Sequence, residues 1–214
     1  MSADCSVYCP LEKRKEEFQS HFVFDDTMTL KLTIQQCILY QSGRGLATIF
    51  LPEGRDYQCN CCKKGRLVYR DHCKRKVVYE GGDAEWIHIP RHQCDNPACK
   101  RITRMLPHLL TPYKHYAEDV IEDTIDERIV PEESDFRPSE RTAERWKRWI
   151  LQNEQNINGY LKSIGHRLLG FGRELLMSPV SLLAVMREKH HNDWLHVIIR
   201  TIYNAGAKLD PCYD

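Results

Sequence analysis

The chain has 214 residues, 42% of them hydrophobic, enough to bury a core in one medium domain or two small ones. Charged residues make up 29%, yet the net charge is only +1, which excludes a polycation; any nucleic-acid surface has to come from segregated charge. The opening MSADCSVYCPLEKRKEEF lacks an apolar core of signal-peptide length, and the longest strongly apolar stretch, residues 175–186, is interrupted by Pro179 and too short to span a bilayer. A cytoplasmic protein with no membrane partner is therefore expected. In that reducing compartment paired cysteines among the ten present point to metal binding rather than disulfides.

In chain order, residues 1–27 read as a charged N-terminal arm. Cys5 and Cys9 form a C-x3-C pair there, with no second pair to complete a site. Residues 28–115 read as a β-rich unit. Its first part, LKLTIQQCILY and LATIFL joined by Gln-Ser-Gly-Arg-Gly, fits two short strands or a strand and a helical turn. Strand-like runs follow at LVYR, KVVY and EWIHI, with the turn signal Glu-Gly-Gly-Asp between the last two.

Residues 116–152 read as a helical, helix-turn-helix-like segment. Val120, Ile121, Thr124 and Ile125 recur at helical spacing within 116–129, and Pro131 ends that helix. A second helix starts at the cap Ser139 and carries RTAERWKRWILQN. Residues 153–214 read as a C-terminal helical region. A helix is expected over 157–177, another opened by Ser178-Pro179 and running to about Glu188, and a last over 193–205, closed by Gly206. The expected class is α+β: a β-rich four-cysteine zinc ribbon followed by an α-helical C-terminal region.

The chemistry lies in two cysteine pairs. Cys59 and Cys62 form a C-x2-C knuckle, Cys94 and Cys99 a C-x4-C knuckle, and 31 residues separate Cys62 from Cys94. A structural zinc ion takes four soft ligands in a tetrahedron, and two knuckles brought together by a hairpin supply them. Cys61 is too close to Cys62 for both to bind, so one is a bystander; the x2 spacing favours Cys62. Cys73, beside His72 in mid-hairpin, is expected to be a free or buried thiol. Four thiolates leave no open position on the metal, so its role is to fold a small unit.

Charge is strongly segregated. Residues 59–115 carry twelve Lys and Arg against five acids; residues 116–135 carry nine acids against Arg128. Lys74, Arg75, Lys76 and Arg91 in the ribbon, interleaved with Tyr69, Tyr79 and Trp86, suit phosphate contact. Arg141, Arg145 and Arg148 fall on one face of the second helix, opposite Trp146, Trp149 and Ile150, the pattern of a groove-reading helix. Asp119, Glu122, Asp123 and Asp126 cluster on one helix and read as a solvated acidic face. With no phosphate-cradling glycine loop and few acids after Ile150, an enzyme is not expected.

The run Y-x-C-x-x-C-x-x-G, basic strands, then I-P-R-H-Q-C-x4-C-x-R-x-T-x-x-L-P-x-x-L-x-P-Y-x-x-Y resembles a bacterial zinc-ribbon family of uncharacterised function associated with transposases and mobile elements. The matching residues run from Tyr57 to about Ile125. SERTAERWKRWI resembles the end of helix-turn-helix units that follow such ribbons. The resemblance implies Cys59, Cys62, Cys94 and Cys99 as ligands, Ser139, Thr142 and Arg145 as DNA-helix residues, and a DNA-binding, transposase-like front end. An adaptor that binds a partner such as a transposase is the competing expectation.

Overall fold

The computed structural model describes residues 34–35, 38–42, 46–50, 57–128 and 137–211, all within one unit, Lys31–Asp214. The expected N-terminal arm with Cys5 and Cys9, and also Cys37, Pro131 and Cys212, lie outside the described residues. The fold is mixed α+β, as expected. Strands β1 (Ile34–Gln35), β2 (Ile38–Ser42), β3 (Leu46–Phe50), β4 (Leu67–Val78), β5 (Ala84–Cys94), β6 (Ile102–Arg104) and β7 (Leu106–Pro107) precede helices α1 (Glu118–Ile125), α2 (Glu140–Leu169), α3 (Arg173–Met177), α4 (Leu182–Lys189) and α5 (Trp194–Asn204). The main sheet has the order β2-β3-β5-β4, with β6 added to the far end of β5; β1 and β7 pair separately.

The runs LVYR and KVVY form one twelve-residue strand, not two. The register slips at a bulge between Tyr69 and Asp71, so the strand re-aims there without ending. The Glu80-Gly81-Gly82-Asp83 turn closes the β4–β5 hairpin, and both glycines take positive φ, 86° and 87°, which other residues adopt only with strain. Strand alternation then sorts the side chains. Val77, Ile87 and Ile89 face the helices and are buried, whereas Lys74, Lys76 and Trp86 face outward.

The helix expected from Ser139 through Asn153 and the first part of that expected over 157–177 are one helix of 30 residues, α2, which ends at Leu169; residues 173–177 form the separate helix α3. The buried stripe of α2, Trp146, Trp149, Ile150, Asn153, Ile157, Leu161 and Gly165, keeps helical spacing throughout. Asn153, the last residue of the first expected helix, is buried and clamps the tail: it donates to the Asp210 carbonyl and accepts from the Asp210 amide. Gly170 stops the helix in the left-handed conformation, and Phe171 folds back onto Gly165. Helix α4 is capped by Ser181, which accepts from the Ala184 amide, not by Ser178, whose hydroxyl instead donates to the Leu175 carbonyl at the end of α3.

The acidic face of α1 is solvated only in part: Asp119 is exposed, but Glu118, Glu122 and Asp126 are turned to neighbouring elements. Glu122 is 1% exposed, accepts from the Leu195 amide at 2.8 Å and pairs with Arg128 at 2.7 Å. Glu118 accepts from the Thr111 hydroxyl and meets His196, and Asp126 accepts from the Trp194 indole. Asp193 caps α5 with no side-chain bond, so Glu122 satisfies an open amide of the first turn of α5 from a neighbouring helix. Among the described residues no helix is long and apolar enough to cross a membrane.

Candidate metal centre and basic face

Each cysteine loop is built from local backbone bonds. In the first, the Lys63 amide returns to the Cys59 carbonyl and the Cys59 amide to the Gly65 carbonyl. In the second, the Cys99 and Lys100 amides both return to the Asn96 carbonyl. Lys63 and Lys100 each follow the last cysteine of their loop and each take positive φ, 56° and 48°. The second turn therefore starts at Asn96, and Cys94 reaches the site from the end of β5. This accounts for the wider C-x4-C spacing: Asn96 holds the corner that Cys59 holds in the first loop. Asp95 staples the loops together, its carboxylate accepting from the Arg66 amide and its own amide donating to the Arg66 carbonyl.

The Sγ atoms of Cys59, Cys62, Cys94 and Cys99 all lie within 4.8 Å of one another. Cys59 to Cys99 is 3.8 Å and Cys62 to Cys94 is 3.7 Å. A tetrahedron with metal–sulfur bonds of ~2.3 Å has edges of about 3.8 Å, so the cluster has the dimensions of a four-thiolate site and can hold a metal ion. Gly65 is required by proximity, since a Cβ there would stand 2.4 Å from the Cys94 sulfur. The Gly65 amide, with that of Lys64, holds the Cys62 thiol down at about 6, whereas burial pushes Cys94 up to about 12. Leu67 and Met105 pack against Cys59 and Cys94 as a small separate core. Cys61 is exposed beside Arg101 and outside the cluster, Cys73 is half-buried against the main core, and His72 stacks on His88.

Four residues of the ribbon were expected to contact phosphate. Lys74 and Lys76 lie exposed on the outward face of the hairpin. The structure gives Arg75 and Arg91 other work. Arg75 points inward and donates to the Thr111 and Lys114 carbonyls, and burial lowers its pKa to about 10. Arg91 forms a two-pronged pair with Asp71, both bonds 2.5 Å, across the bulged end of the hairpin. On α2, Arg141 and Arg148 are exposed, while Arg145 lines a cleft of about 230 Å³ with Lys114, His115 and Trp146. Thr142 serves the helix cap, its amide and hydroxyl both turned to Ser139. The expected helix-turn-helix is not formed by α1 and α2: residues 126–139 join them, where that motif uses a turn of about three or four residues.

Lys74 and Lys76 share their face of the hairpin with aromatic and imidazole side chains. Across the hairpin Lys76 pairs with Trp86, Lys74 with His88 and His72 with Pro90. No acid occupies these positions, and Trp86 is 50% exposed. The period of two in β4 and β5, applied with the Gly-Gly turn as the register mark, would have brought these residues to one face.

Residues 59–146 match a family described as a domain of unknown function (DUF6431). The match covers under half of the chain and takes in both cysteine loops, the hairpin, α1 and the first turns of α2. No curated protein and no solved structure matches the chain.

Proposed function

We propose that this protein is a zinc-ribbon DNA-binding protein, a mobile-element accessory factor without a catalytic domain of its own. Zinc, held by Cys59, Cys62, Cys94 and Cys99, fixes the base of the β4–β5 hairpin and takes no part in chemistry. The hairpin presents Lys74 and Lys76 to phosphate, with Arg141 and Arg148 as further cations on α2. The observation that carries the reading is the acid-free run of paired outward positions, His72, Lys74, Lys76, Trp86 and His88, on a chain whose overall charge is near zero. A chance distribution of 31 basic and 30 acidic residues would intersperse them. The mobile-element setting rests on the resemblance of the ribbon motif alone.

Duplex-DNA binding should weaken steeply with salt, and the paired reversal K74E/K76E should weaken it by roughly tenfold or more at low salt. R75M should affect stability before affinity. Binding that ignores both salt and K74E/K76E would remove the basis for a nucleic-acid contact at this face.

A second reading has its own support. Leu151, Met177 and Val180 on the helical side are exposed, at 70%, 78% and 49%. Such side chains suit a protein partner, such as a transposase, held by an adaptor. Co-purification of a partner by a chain with no DNA affinity would favour that reading.

A further inference from the structure

From the hairpin face we infer a narrower ligand than duplex DNA: a single-stranded segment of nucleic acid, with an unpaired base stacked on Trp86 and its flanking phosphates on Lys74 and Lys76. The inference rests on the nucleic-acid reading above and deepens it.

Three observations converge. First, Trp86, the third residue of β5, is half exposed, whereas Trp146, Trp149 and Trp194, the other three tryptophans of the chain, are at most 3% exposed. A single exposed indole is ordinary by itself; what singles out Trp86 is the pair of cations and the imidazole stack that share its face. Second, Lys76 is its direct cross-strand partner, and Lys74 stands one pair further along on the same face, about 7 Å away at the strand rise. Two cations in file beside a ring suit consecutive backbone phosphates beside a base. Third, the next position on β5 along that face, His88, carries an imidazole stacked on His72, with ring centroids 4.1 Å apart and planes at 29°. A second flat surface thus follows Trp86 along the strand. The His88 Nε2 is buried without a partner, so this pair is held by packing, not by a hydrogen bond of that atom.

Where β3 and β4 flank β5 on both sides, as they do at Trp86 and His88, an exposed ring can offer its face to a base. In a duplex the face of a base is covered by the neighbouring pair, and only unpaired or terminal bases offer it. A groove-reading element instead presents donors along a protruding helix or ribbon. Lysine point charges with an aromatic platform are the elements of sequence-tolerant single-strand binding.

The arrangement of the tryptophans provides the readout. Quenching of intrinsic fluorescence by a bound base reports on Trp86, since the other three are shielded. The full-length, metal-loaded protein should be quenched by oligothymidylate, and should bind it more tightly than a duplex of equal phosphate count at the same salt. W86A should weaken single-strand binding, read by anisotropy of a labelled strand, roughly tenfold, and leave duplex binding within about twofold. W86F, which keeps a ring face, should recover most of the loss. Equal losses in W86A and W86F, or no loss in either, would overturn the inference. So would quenching by poly-glutamate as strong as by the oligonucleotide, which would mark an acidic protein as the ligand. Salt-sensitive duplex binding blind to Trp86 would sink this inference and leave the broader reading standing; absence of binding to either nucleic acid would sink both.

Discussion

At the scale of single residues, two positions decide more than their chemistry suggests. Gly65 lies between the cysteine loops with no room for a side chain, because Cys94 Sγ, Asn96 and Asp95 already fill the space. G65A should separate the loops and lower zinc affinity by roughly tenfold or more, checked by competition with a chromophoric chelator. Glu122 is the second. Its burial raises its carboxyl pKa to about 7, against the pull of Arg128 and the Leu195 amide. The folded state then holds a proton that the unfolded chain releases near the ordinary glutamate pKa of about 4.3. Stability should therefore fall as pH rises from that value through about 7, by on the order of 2 kcal/mol, and level off above it. E122Q should flatten that slope in urea melts; an unchanged slope would mean that Glu122 is charged throughout.

At the scale of elements, what could be read in advance depended on whether the signal was local. The hairpin turn, the Ser139 cap and the Gly206 stop are local, and each lies where its residues place it. The cysteine loops were legible for the same reason: spacing alone sets which sulfurs can meet. The length of α2 was not legible. Its polar stretch and glycines argue for a break locally, but Asn153 is satisfied by Asp210 and Gly165 by Phe171, partners distant or beyond the helix end. The same holds for Arg75, whose bonds to the 111–114 loop span more than thirty positions, and for Glu118, Glu122 and Asp126. Charge pattern assigns both to water; tertiary contacts do not. G165A tests the point. Helix propensity alone would make alanine better by about 1 kcal/mol, but its Cβ would stand 2.4 Å from the Phe171 ring. We expect a net loss of about 1–3 kcal/mol in thermal or chemical denaturation.

For the whole molecule, two cores coexist. The larger joins Val77, Ile87 and Ile89 of the hairpin to α1, α2, α4 and α5. The smaller, Cys59, Leu67, Cys94 and Met105, is too slight to hold the cysteine loops by apolar burial, worth about 1.5–3 kcal/mol per large side chain. A metal held by the four cysteines would contribute on the order of 10 kcal/mol, so the base of the hairpin would depend on it while the helical side would not. Chelation should therefore loosen residues 57–66 and 94–105 and leave the amides of α2 and α5 protected in hydrogen exchange. Uniform loss of protection would mean that the two cores fold as one. The separation also explains how the site could be foreseen when its surroundings were not: metal ligands obey sequence spacing, and the larger core obeys long-range packing.

The most direct test of the central claim is X-ray absorption at the zinc edge on protein purified without added metal, with the metal content measured on the same sample. Four sulfur neighbours at about 2.3 Å and one zinc per chain are the result this account predicts. A first shell containing nitrogen or oxygen, or protein that folds to the same melting temperature with no bound metal, would contradict it.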